Sequence, residues 1–124
     1  IHDAINSIEG PNGEHFDPQF GRPSGQGAIP AATSLLEGIT QMQEPDGGVD
    51  YVVAGENVVL FLNLATDRAL IALDVMPENQ ERASEELRLM QGMLMAARGS
   101  SEEKDRPTEG GARTIKAWLE ELGY

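Results

Sequence analysis

At 124 residues and a formal net charge of −12, the chain has the length of one domain and an acidity that works against binding phosphate backbones. Hydrophobic residues make up 40% and aromatics only 5%, which predicts an aliphatic core and leaves no run near the roughly 20 apolar residues of a membrane-spanning helix. The absence of cysteine excludes disulfides, thiolate nucleophiles and thiolate metal sites, and fits a reducing, cytoplasmic setting.

The chain opens on Ile1 rather than Met, as a processed or trimmed chain would, and nothing there reads as a signal peptide. Residues 1–28 are expected to form an N-terminal arm. Within it "IHDAINSI" fits two helical turns with Ile1, Ile5 and Ile8 on one face. "GPNGEHFDPQFGRPSGQG" (10–27) holds five Gly and three Pro and reads as a long loop, with Phe16 and Phe20 spaced to touch a surface. Residues 29–99 are expected to be the core. A helix is predicted over Pro30–Gln43, where Leu35, Leu36, Ile39 and Met42 recur at helical spacing. "EPDGG" (44–48) ends it.

Three strands are then predicted, at Val49–Ala54, Asn57–Leu64 and Arg68–Val75, joined by short turns at Gly55-Glu56 and Ala65-Thr66-Asp67. The third run, rich in Ala, Leu and Ile, also tolerates a helix, and its length favours a strand. A helix over 77–98 follows. Pro77 opens it, acids crowd its first turn, Ala83, Leu87, Met90 and Leu94 form a stripe, and Gly99 stops it. Residues 100–111 read as a polar linker. Residues 112–124 carry a last helix with Ile115, Trp118, Leu119 and Leu122 on one side. The expected fold class is therefore α+β: a three-stranded or larger antiparallel meander sheet packed by amphipathic helices. Its strands barely alternate apolar with polar residues, so both faces of the sheet would need cover, some of it from a second chain.

Few residues suggest chemistry. His2-Asp3 and Glu14-His15-Phe16-Asp17 offer two imidazoles and three carboxylates to a metal, but they lie in the segment with the weakest fold signal. No phosphate-loop spacing opens a helix after a strand, and Ser24 and Ser34 have no core histidine to act as base. Glu85-Glu86 and Glu120-Glu121 sit beside Arg or Lys on helix faces, as solvated carboxylates do. The expectation is a non-enzyme with no catalytic residue, no metal and no cofactor. Met90 and Met93 are neighbours on the 77–98 helix and Met95 points elsewhere; with Leu89 they leave it apolar over more than half its circumference, suited to a core or a partner surface. The candidate interface is Leu35, Ile39, Met42, Phe61, Leu89, Met93 and Trp118.

Charge is split along the chain. Residues 1–67 carry ten acids against Arg22 alone, whereas residues 68–124 carry eleven acids and eight bases. Such a field attracts a basic protein partner. The candidate acidic patch is Glu37, Glu44, Asp46, Asp50 and Glu56.

"HDAINSIEG" is similar to a short stretch of vanadium haloperoxidase-like proteins. Those enzymes hold an oxyanion with downstream Arg, Lys and His, and here no histidine follows His15, so no such site is expected. "PAATSLLEGI" (30–39), "GENVVLFLNLATDRALIALDV" (55–75) and "NQERASEELRLMQGML" (79–94) together resemble the Roadblock/dynein light chain family, nearest its MglB-like bacterial members. The resemblance spans about residues 30–98. The Gly/Pro-rich arm stands where that family has a leading helix and hairpin. What the resemblance implies is a homodimer without catalytic residues, serving as a platform for a small GTPase or a motor complex. The expected role is thus an acidic protein-interaction module or scaffold that dimerises and binds neither nucleic acid nor membrane. The alternative is a small acidic inhibitor or immunity-type protein that blocks a basic site on its partner.

Overall fold

Residues 51–75 form one continuous helix. The computed structural model describes residues 1–20, 26–42, 51–99, 111–121 and 123, with the side chains of residues 42 and 114 left aside. Among them the regular elements are α1 (His2–Glu9), a 3-10 turn (Pro18–Phe20), α2 (Ala28–Met42), α3 (Tyr51–Val75), α4 (Gln80–Arg98) and α5 (Ala112–Glu121). No strand occurs among the described residues. The fold is all-helical, which overturns the expected α+β sheet and its strands at Asn57–Leu64 and Arg68–Val75. The first expected strand, Val49–Ala54, is helix from Tyr51 onward, and its first two residues lie outside the described ones.

The physical reason lies in the supposed turns. Neither Gly55-Glu56 nor Ala65-Thr66-Asp67 contains a residue that must leave helical geometry. The polar side chains bond back along the helix instead: Thr66 Oγ1 donates to the Leu62 carbonyl at 3.1 Å and Asn63 Nδ2 to the Val59 carbonyl at 2.9 Å. Ala54, Val58, Leu62, Ala65, Ala69 and Ala72 are all buried and recur three or four residues apart, one seam of a helix. Two apolar runs read one at a time conceal that period.

α4 packs antiparallel along α3 more extensively than any other element. The turn between them is tight, with the Asn79 N–H donating to the Val75 carbonyl at 2.7 Å. Asn79 caps α4, its Oδ1 accepting from the Arg82 N–H at 3.0 Å, so α4 begins three residues after the Pro77 expected to open it. The seam is lined by small side chains, Ala65, Ala69 and Ala72 on α3 and Ala83 and Ala97 on α4, all buried. Small residues let two helix axes draw close. Arg68 on α3 meets Glu86 on α4 at 3.1 Å and marks the register of the pair.

α2 lies on the N-terminal half of α3. A Cβ at Gly55 would come within 3.0 Å of Leu36 Cδ1, so a glycine suits the crossing. α1 rests on both α2 and α3 through Ile5 and Ile8, in keeping with the two helical turns expected there. Its C-terminal Gly10 meets Gly27, which leads into α2. Both have positive φ, and a Cβ on either would overlap the other strand of backbone. Gly99 and Gly111 make the same kind of approach at the ends of the 100–110 segment. α5 closes the N-terminal end of α3, with Ile115 buried beside Ala54 and Val58 in the core cluster.

Candidate functional site

Helix spacing and the Arg68–Glu86 register place one face of the α3–α4 hairpin in view. Leu64 and Phe61 lie one and two turns before Arg68, whereas Leu89 and Met93 lie one and two turns after Glu86. In an antiparallel pair these two sets fall on the same flank. Phe61 and Met93 are half-buried against the core, and Leu64 is half-buried as well. Leu60 and Leu89 are 50% and 46% exposed. Ile71, two turns beyond Leu64, extends the stripe along α3 and is half-buried.

Charged groups border this face. Glu56 stands one turn before Leu60, Asp67 two turns after it, Asp74 one turn after Ile71, and Glu85 one turn before Leu89; all four are exposed. On the same side of α4, Arg82 is the opposing base, two turns before Leu89. Arg68 is already engaged by Glu86, whose side chain is largely covered.

The expected interface residues divide between this face and elsewhere. Phe61, Leu89 and Met93 come together on it. Leu35 is exposed on α2, apart from them. Ile39 is 1% exposed and belongs to the core. Trp118 is half-buried and stacks on Tyr51, ring centroids 4.3 Å apart and 7° from parallel, so it docks α5 onto α3. The Met42 side chain lies outside the described residues. Glu37 and Glu56 are exposed on different helices, and Glu44, Asp46 and Asp50 of the expected acidic patch lie outside the described residues. Leu60 and Leu64 were not among the expected interface residues, although Phe61 of the same expected strand was. A helical wheel drawn through 51–75 is the signal that finds them.

The histidines are separate from one another. His2 stacks on Phe20, with centroids 4.2 Å apart. The His15 N–H donates to Glu9 Oε2 at 2.8 Å, and its Nδ1 shares a 2.7 Å hydrogen bond with Glu9 Oε1. That hydrogen bond raises the His15 pKa above its ordinary 6.5; slight burial opposes it, and the charges of Glu9, Glu14 and Asp67 add to it. Among the described residues no three His, Asp or Glu side chains are grouped to hold a metal ion. No helix among them is long and apolar enough to cross a membrane. Compared with known proteins, the chain matches no family model, no curated protein and no solved structure.

Proposed function

We propose that this chain is a non-catalytic helical interaction module that engages a protein partner through the shared face of α3 and α4. One observation carries the reading: Leu60 on α3 and Leu89 on α4 are each about half exposed, and helix spacing puts Leu64 one turn from the first and Met93 one turn from the second. Scattered surface leucines are ordinary, but exposed leucines on both helices of one hairpin, each with a half-buried apolar neighbour one turn away, fit an interaction surface. Covering such side chains is worth roughly 25 cal/mol per Å² of apolar area removed from water. The reading does not extend to a small GTPase. The resemblance that implied one leaned on strands at 55–75, and those residues are helix.

The test is whether these leucines serve the chain's own stability. Replacing both by glutamine (Leu60→Gln with Leu89→Gln) keeps helix propensity. Exposed substitutions of this kind change stability by about 0.5 kcal/mol or less each. Thermal melting should therefore shift by no more than about 4 °C. A fall of more than about 10 °C would assign the leucines to the chain's own core and end the reading.

A further inference from the structure

We infer that the occupant of the α3–α4 face is a basic amphipathic helix from a partner protein; this rests on the interaction-module reading above. The face supplies two complementary requirements in one place. Its apolar floor runs along α3 through Leu60, Leu64 and Ile71, at spacings of four and seven residues, the period at which a second helix lays its own apolar stripe. Asp67 stands in line with that floor, seven residues after Leu60 and near enough to His15 for their charges to interact, and the border carries Glu56, Asp74 and Glu85 against Arg82. A helix seated on the floor has its flanking side chains directed at those carboxylates, so Lys or Arg there gains attraction and Asp or Glu meets repulsion.

The charge of the whole chain points the same way. At −12, a second copy brings equal charge to the interface, whereas a basic helix relieves it. The long-range field speeds the encounter, and the apolar floor supplies the specificity of seat. A basic peptide without apolar residues lacks the second contribution, and an acidic amphipathic helix lacks the first.

The experiment uses the full chain and fluorescein-labelled synthetic peptides of about 18 residues, roughly 27 Å as helix. One is an amphipathic Leu/Lys helix, the second has Glu in place of Lys, and the third is Lys-rich without Leu. Binding is read by fluorescence anisotropy against the wild type, Leu60→Glu/Leu89→Glu and Leu60→Gln/Leu89→Gln, each checked by circular dichroism for an unchanged helical spectrum. The Leu/Lys helix should bind the wild type, and the other two peptides should bind at least about tenfold more weakly, the tenfold being about 1.4 kcal/mol. Both double variants should lose about tenfold in affinity for the Leu/Lys helix.

The glutamate pair makes the chain still more negative, so attraction by charge alone would tighten binding to it. Unchanged or tighter binding there overturns the inference, as does equal binding of the Glu peptide. Light scattering supplies the remaining outcome. A wild-type dimer that the glutamate pair makes monomeric would place a second copy on this face, overturning the basic-helix inference while leaving the interaction module intact. A monomeric wild type that binds none of the peptides overturns the basic-helix inference, whereas the module reading is overturned by the melting test of the glutamine pair.

Discussion

Asn6 shows how a few side chains bind a Gly/Pro-rich loop to a helix. It is buried, its Nδ2 donates to the Asp17 carbonyl at 2.7 Å, and its Oδ1 accepts from the Asp17 N–H at 2.9 Å. Both halves of one amide are thus spent on the backbone N–H and C=O of one residue, as a buried amide requires. His15 forms a second tie nearby, through Glu9, and it titrates. Because the folded state raises its pKa, it binds protons more tightly than the unfolded chain does. The stability this adds is fully present below pH 6.5 and is lost as pH rises through the folded-state value. His15 is largely exposed and solvent screens the pair, so the effect is small. The expected outcome is a His15 NMR titration midpoint above 6.5 that falls in Glu9→Gln. A wild-type midpoint at or below 6.5 would contradict the pairing.

Among the elements, α2 and α4 each contain a glycine with no structural need. A Cβ at Gly38 or at Gly92 meets nothing within 4 Å, and neither has positive φ. Glycine in a helix interior costs about 0.5–1 kcal/mol relative to alanine, mostly through the freedom it has when unfolded. Gly38→Ala and Gly92→Ala should each raise the melting temperature by about 2–5 °C. A decrease at either site would show that the added Cβ meets atoms of the chain itself and contradict the open space around that position. Gly55 is the contrast: its place against Leu36 is close, and a β-branched side chain there would push α2 away from α3. The amphipathic helices near 28–42, 80–98 and 112–121 were legible in the sequence because each has a wet side that breaks up its apolar residues. α3 was not, because its three- or four-residue period runs through two apolar stretches that each read as a strand, and Leu60, Leu64 and Ile71 on its outer side add to them.

For the whole molecule, α3 is the shared support: α1, α2, α4 and α5 all pack on it. A protein with such an arrangement and a net charge of −12 folds against its own repulsion. Raising ionic strength from about 0.01 M to about 0.15 M shortens the screening length from roughly 30 Å to roughly 8 Å. The melting temperature should rise over that range. A fall would show that ion pairs such as Arg68–Glu86 outweigh the general repulsion.

The sequence by itself determined the charge, the aliphatic character of the core, the exclusion of cysteine chemistry and the positions of the helices with a wet face. Those properties are local, and composition or a single helical period expresses them. The tertiary structure decided that residues 51–75 are one helix, because α1, α2, α4 and α5 all pack on it and bury its apolar seam. It also decided which apolar residues remain uncovered. Ile39 and Leu60 look alike in the chain, yet one lies in the core and the other in view, because Leu60 is on the side of its helix away from the buried seam. The interaction face follows from that packing.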